Sequence, residues 1–341
     1  MINKEQVFVN EKHWRGMGDN ELNDFTQLIF DYYRQEGFPY YPIDMESREK
    51  DFKKLMSYDL NNMWEYDIRN GNVVKQTMHG LGLAWSYFPD SFNVRCGDKM
   101  TPYEAFMNDE IFMNVIKKRL KMGTYISDSG IRKMLKIYTG VQAVSNFRPT
   151  AAAAIYKRYG DGVVWDMSGG WGGRMLGAIK AGVKEYIVTE PSTKTEMGLV
   201  ALREDFGGNT SIDIFGLGSE DYVPDKNSLD LCFTSPPYFD LEKYSGEETQ
   251  SYIKYPNKKD WINGFLSQTF ENCHWGLRQN GYMIINMANI KGNDLEVDMV
   301  KTAHRCGFTL LKTHRLALSN VNLRDKGRKF KYEPIYVFIK K

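Results

Sequence analysis

Ser235-Pro236-Pro237-Tyr238, followed by Phe239, is the segment of this chain whose residue types point most directly to chemistry. An amino group conjugated to a heterocyclic base is a poor nucleophile, because its lone pair is delocalised. A side-chain oxygen and a backbone carbonyl that accept its two hydrogens favour a tetrahedral nitrogen and free the lone pair for attack. Ser235 offers the oxygen, and Pro236 fixes the turn so that its carbonyl points into the site. Tyr238, with Phe239 beside it, offers an aromatic face for a base taken out of its helix. Without its surroundings, the same segment reads as a Pro-Pro turn that ends a strand.

A second segment supplies a ligand cradle. Val163 to Asp166 reads as a strand that runs into Met167-Ser168-Gly169-Gly170-Trp171-Gly172-Gly173 and then a helix. Glycines at the carboxyl end of a parallel strand let the backbone approach a ligand closely. Asp166 at the strand end can receive the cationic amino-acid end of a ligand. Glu190-Pro191 follows the next strand, where a carboxylate can bind two ribose hydroxyls. The dinucleotide fingerprint is absent, since Gly170-x-Gly172 would need glycine where Met175 stands. The phosphate-loop lysine is absent too, because Arg174 fills that place with no Ser or Thr after it. The alternative is a structural turn, with Glu190 as a helix-start acid.

The elements that position these residues alternate. Helices are expected over about 150–159, 173–181, 194–206, 259–277 and 296–306. Strands are expected over 162–166, 185–189, 211–215, 229–234, 281–287, 308–316 and 335–339. Strands alternating with helices imply an α/β, doubly wound, mostly parallel sheet covered on both faces. The last two strands, joined by a basic turn, read as an antiparallel hairpin at one edge. Residues 1–140 read as a mainly helical region, with helices over 19–36, from the Thr101-Pro102-Tyr103-Glu104 start to about Lys121, and from about Ser127 to Tyr138. Between them, 71–98 is loop-rich. It includes Gln76 to Gly82 and the aromatic run Trp85 to Phe88, either a packed irregular subdomain or a surface that touches bases.

Composition narrows the class. With 341 residues, 42% of them apolar, the chain suits one large or two modest domains. The net charge of +2 names no partner, but Lys301 to Lys341 carries 11 Lys and Arg against Asp325 and Glu333. Such a stretch is either a phosphate-contacting surface or a solvated hairpin. The four cysteines, at 96, 232, 273 and 306, form no CxxC pair and have no zinc-ligand spacing with the histidines. That suits a reduced intracellular protein with no metal. The first residues lack a signal-peptide apolar core, and no stretch of about 20 apolar residues could span a membrane.

Taken together, the two segments resemble those of the amino-methyltransferases of DNA, which act on N4 of cytosine or N6 of adenine. The likeness covers about residues 141–341. Ser235-Pro236-Pro237-Tyr238 is similar to their catalytic motif, and Asp166 to Gly172 to their S-adenosylmethionine motif. Asn146-Phe147-Arg148-Pro149-Thr150 is similar to the segment that packs on the cofactor's methionine end. Two features depart from the pattern: Ser168 stands where the family has an aromatic residue, and Trp171 adds bulk. The resemblance implies S-adenosylmethionine as cofactor, held by Phe147, Arg148, Pro149, Asp166, Ser168, Gly169, Gly170, Trp171, Gly172, Glu190 and Pro191. It implies Ser235, Pro236, Pro237 and Tyr238 as catalytic residues. Serine at the first motif position is more typical of cytosine N4 enzymes.

The resemblance further implies double-stranded DNA as partner, in the cytoplasm of a bacterial or phage-infected cell, and leaves a homodimer and a restriction-enzyme partner open. Target recognition is expected from the N-terminal region, helped by Tyr244 to Lys259. A cytosine C5 enzyme is disfavoured, because Cys232 falls inside a strand rather than in a reactive setting. Methylation of RNA or of a protein glutamine remains an alternative, as does a nucleic-acid-binding protein that keeps the fold without catalysis.

Overall fold

The computed structural model describes residues 1–67, 71–290, 292–318 and 331–341. The basic turn expected between the last two strands lies on 319–330, outside the described residues. The chain forms two compact units, Met1–Pro42 with Pro89–Val144, and Ile43–Phe88 with Ser145–Lys341. The single boundary expected near residue 140 is thus replaced by three crossings. The reason is local: residues 43–88 carry two strands that belong to the sheet of the second unit.

The first unit is helical, with helices Asp19–Glu36, Pro102–Met107, Asp109–Met122 and Asp128–Lys136. The expected long helix after Thr101 is two. Asn108 leaves helical backbone and its side chain accepts the Ile111 N–H at 3.0 Å, which caps a new start. Phe25, Ile29, Tyr33, Phe106, Phe112 and Ile131 meet in one buried core. The Arg34 guanidinium lies over the rings of Phe30, Phe106 and Phe112 and pairs with Asp109 at 2.8 Å, so its stem packs while its charge is met.

The second unit is built on a nine-stranded sheet. Its strands are β1 (Trp64–Asp67), β2 (Gly71–Val74), β3 (Val163–Asp166), β4 (Glu185–Thr189), β5 (Ser211–Phe215), β6 (Leu229–Thr234), β7 (Leu277–Asn286), β8 (Phe308–Ala317) and β9 (Tyr332–Lys340). They lie in the order β1-β2-β8-β9-β7-β6-β3-β4-β5. Strands β5, β4, β3, β6 and β7 are mutually parallel, and β9 is antiparallel to both of its neighbours. This is the expected mixed α/β sheet. The hairpin of β8 and β9 is not at the edge, however. Val73 and Val74 of β2 pair with Arg315 and Leu316 of β8 and cover it, and β1 closes the far side.

Helices α1 (Pro149–Tyr159), α2 (Gly173–Ala181), α3 (Thr193–Phe206), α4 (Gln268–Gly276) and α5 (Leu295–Arg305) connect the strands. Small residues let α1 and α2 approach closely: a Cβ on Gly177 would stand 2.5 Å from that of Ala152. Just before α4, Trp261–Ser267 forms a π-helical turn that buries Trp261, Phe265 and Leu266. The sheet core around Trp165, Cys232, Met283 and Phe338 is continuous with them. Among the described residues no helix is long and apolar enough to cross a membrane.

Candidate active site

The chain runs β3, β4, β5 to one side and returns with β6 on the other side of β3, where Val164 and Trp165 pair with Leu231 and Cys232. A crevice opens at the carboxyl ends of strands at such a switch of direction. The glycine turn follows β3 and the proline pair follows β6, so the two sequence-predicted motifs flank one crevice.

The turn is shaped by close approach. Gly170 and Gly172 hold φ of 57° and 71°. A Cβ on Gly173 would overlap the Phe147 carbonyl oxygen. Asn146 donates from Nδ2 to the Trp171 carbonyl at 2.8 Å. These contacts set Phe147, Arg148 and Pro149 against the turn, and the Phe147 ring stands edge-on to Phe233 of β6 at 5.4 Å. Ser168 is half-buried, its hydroxyl turned back to the Met167 carbonyl at 2.7 Å. Trp171 is buried, its ring packed with Trp85, Phe88 and Tyr244, so it contributes its backbone to the turn and its ring to the core. The aromatic run of 85–88 is likewise buried and takes the packed reading.

Asp166 is tied to its neighbours. It is fully buried, and its Oδ2 accepts from Arg174 Nε at 2.8 Å and from the Tyr186 hydroxyl at 2.5 Å. Its Oδ1 takes the Ser168 N–H at 3.3 Å. Arg174 also donates to the Ser168 carbonyl. Three donors thus hold the carboxylate, and one lone pair remains on Oδ1. Asp166 is a positioning residue that holds the glycine turn through Arg174, eight residues on at the first turn of α2.

Glu190 faces the same turn. Its Oε2 accepts the Gly170 N–H at 2.9 Å and its Oε1 the Ser192 N–H at 3.1 Å, which leaves a further lone pair on each oxygen. Burial pushes its pKa up to about 7 against those two donors. Pro191, half-buried beside it, accepts from Thr249 Oγ1 at 2.8 Å through its carbonyl.

At the end of β6, Pro236 is buried while Ser235, Pro237 and Tyr238 are half-buried. Phe239 holds a φ of 56°, a left-handed conformation unusual outside glycine, and its ring packs edge-on to Trp261 at 5.8 Å. The Phe239 ring therefore belongs to the core, against which Tyr238 also packs. Burial, then the Glu333 carboxyl, hold the phenol above its ordinary pKa. Cys232 is fully buried within β6.

Several residues join the site that motif reading missed. After β5, Glu220 is 5% exposed, its Oε1 meets Lys254 Nζ at 2.7 Å, and its Oε2 has no hydrogen-bond partner among the described residues. The segment after the proline pair straps across the strand ends. Tyr244 packs on Trp171, Glu247 accepts the Thr193 N–H at 3.2 Å, and Lys254 bonds Glu220 and Asp221. Within the stretch Tyr244 to Lys259, expected to help recognition, Tyr244, Glu247 and Lys254 are thus tied to the strand ends. Among the described residues no group of three or more His, Cys, Asp or Glu could hold a metal.

These groups fit a nucleoside-bearing ligand such as S-adenosylmethionine. Glu190 has two free lone pairs for a diol, Glu220 has an unpaired buried acceptor for an N–H donor, and the glycine turn lies between them and β6.

No protein-family model matches the chain, and no curated protein matches it. Among solved structures it is similar to a methyltransferase from Pyrococcus furiosus, at 14% identity and a TM-score of 0.41, over 61% of this chain and 93% of that one. It is similar to a TehB-like SAM-dependent methyltransferase from Corynebacterium glutamicum, at 15% identity and a TM-score of 0.36, over 58% and 90%. It is also similar to a 1,6-didemethyltoxoflavin-N1-methyltransferase from Burkholderia thailandensis, at 12% identity and a TM-score of 0.38, over 56% and 76%.

Proposed function

We propose that the chain is an S-adenosylmethionine-dependent methyltransferase that acts on the exocyclic amino group of a base in double-stranded DNA, with cytosine N4 favoured over adenine N6. The observation that supports this reading is that the glycine turn and Ser235-Pro236-Pro237-Tyr238 follow the carboxyl ends of the neighbouring parallel strands β3 and β6. Serine at the first motif position favours cytosine.

Bound there, S-adenosylmethionine supplies a methyl group on a sulfonium. Glu190 binds the ribose hydroxyls, and Glu220 with the glycine turn encloses the rest of the nucleoside. Phe147, beside Phe233, walls the turn on the β6 side. Tyr238 stacks on the base. Ser235 Oγ and the Pro236 carbonyl accept the two amine hydrogens and turn the nitrogen lone pair outward. The chain's contribution is positioning and fixed dipoles, with no covalent intermediate on the protein.

The test is tritiated methyl transfer from S-adenosylmethionine into unmethylated DNA, RNA and protein in parallel, followed by nucleoside analysis. Label in N4-methylcytosine or N6-methyladenine of DNA supports the reading. Label confined to RNA or protein overturns the substrate, and cofactor binding without transfer to any of the three overturns the activity.

A further inference from the structure

We propose that Gln250 reads the base of the cofactor: beside Glu220, it recognises adenine by a ring nitrogen that flanks the exocyclic amine, and so is a specificity-determining residue of the crevice. The inference rests on the reading of the site as one for S-adenosylmethionine and names a residue that neither motif contains.

Hydrogen bonds on both sides of Gln250 place it. One residue before it, Thr249 Oγ1 donates to the Pro191 carbonyl at 2.8 Å, next to Glu190 at the end of β4. Four residues after it, Lys254 Nζ donates to Glu220 at 2.7 Å and to Asp221 at 2.6 Å, past the end of β5. β4 and β5 are parallel neighbours, paired from Glu185 with Ser211 to Thr189 with Phe215. The Glu190 N–H then donates to the Phe215 carbonyl at 3.0 Å. Gln250 is therefore held between the carboxyl ends of these two strands. Its own backbone is fixed as well. Its N–H donates to the Glu247 carbonyl at 3.1 Å, and its carbonyl accepts the Lys254 N–H at 3.0 Å.

The side chain is not used by the helical turn it precedes. Gln250 is the residue before Ser251–Lys254, yet its side chain makes no capping bond there. It is 4% exposed, and its Nε2 has no hydrogen-bond partner among the described residues. Glu220 is in the complementary condition, equally buried and with its Oε2 unpartnered. Asn272 Nδ2 fixes the main chain of Glu220 by donating to the Ser219 and Glu220 carbonyls at 3.2 and 3.1 Å. A buried polar atom without a partner costs free energy. A donor and an acceptor left in that state at adjoining strand ends mark the place of a ligand that supplies both missing partners.

Adenine is such a ligand. Its N6 amine donates, and the ring nitrogens that flank the amine, N1 and N7, accept. Glu220 Oε2 takes an amine hydrogen while Gln250 Nε2 donates to a flanking nitrogen. Hypoxanthine and guanine carry a carbonyl in place of that amine and set an acceptor against Glu220. Glu190, on the strand between the glycine turn and Glu220, is left to the ribose hydroxyls.

The experiment is calorimetric titration of S-adenosylhomocysteine and its 1-deaza and 7-deaza analogues into the wild type and Gln250→Met, with thermal melts of both proteins without ligand. The wild type should bind one of the two analogues roughly 10-fold more weakly than the parent, as for one lost hydrogen bond. Gln250→Met keeps the length of the side chain and removes the donor. It should bind the parent about 10-fold more weakly and show no further loss on that analogue. Its ligand-free Tm should equal or exceed that of the wild type, because an unpaired buried donor is gone. A merely structural glutamine would lower the Tm and leave the analogue penalty in place, which overturns the proposal. Equal wild-type affinity for all three ligands, or unchanged parent affinity in Gln250→Met, also overturns the role of Gln250 and leaves the methyltransferase reading standing. A wild type that binds no S-adenosylhomocysteine overturns the reading itself. If Gln250→Met does not fold, the same comparison with Gln250→Ala decides.

Discussion

Glu190 accepts the backbone N–H of Gly170 at 2.9 Å, so the end of β4 holds the turn that follows β3. Burial puts the Glu190 pKa at about 7, above the ordinary 4.5. Between those values the native state binds more protons than the unfolded chain. The contribution of Glu190 to stability is therefore fully present below about pH 4.5 and is lost as pH rises through about 7, by about 3 kcal/mol. Denaturation curves from pH 5 to 8 should show Glu190→Gln gaining on the wild type as pH rises. Hydroxyl donors prefer the ionised form, so calorimetry should show S-adenosylmethionine binding the wild type more tightly at pH 8 than at pH 6. A constant gap between the two proteins would remove the titration from Glu190.

The Asp166–Arg174 pair predicts a structural phenotype. Both side chains are almost wholly buried. Arg174→Met leaves Asp166 with the Tyr186 hydroxyl and the Ser168 N–H, and should cost about 3–5 kcal/mol, the usual effect of removing one buried partner. Asp166→Ala should weaken cofactor binding by loosening the turn. The two losses should go together in thermal melts and titrations. A variant with normal stability and no binding would return Asp166 to direct ligand contact.

Ser235→Ala removes an acceptor that acts on the reacting amine. The expected outcome is a fall in kcat of about 100-fold with near-normal cofactor affinity, comparable to removal of one transition-state hydrogen-bond partner. Single-turnover methyl transfer measures it, and unchanged turnover would strip Ser235 of its part.

Gly173→Ala tests the contact between the turn and Phe147. The added methyl overlaps the Phe147 carbonyl. It should cost about 1–3 kcal/mol and reduce cofactor affinity, since backbone has to move. Gly246→Ala, with open space at its Cβ and no positive φ, is the control and should shift stability by less than about 0.5 kcal/mol.

The parts of this fold legible in the sequence are those with local causes. β3 to β6 are short apolar runs that end in glycine, proline or an acid, and their bounds match expectation to within a residue. β1 and β2 escaped notice because each has four residues and is held by pairing, with β2 resting on β8 more than two hundred residues away. The break at Asn108 overrode a continuous apolar pattern through one capping side chain. In the site, Asp166 is bonded by Arg174 and Tyr186, and nothing in their spacing announces a buried ion pair. Glu220 stands in a stretch, Gly216 to Asp221, that reads as an ordinary turn. Only the rule that ligands gather at carboxyl ends of parallel strands would have singled it out.

β9 follows every other strand of the sheet in the chain, yet it lies between β7 and β8. During synthesis β8 therefore emerges with no strand to join it to β7, and β1, β2 and β8 meet the parallel strands only through β9. The half of the sheet that carries the glycine turn, β3 to β5, is complete much earlier. Insertion of one central strand then closes the sheet and finishes the crevice in a single event. Because that step depends on non-local pairing, it is expected to set the pace of folding.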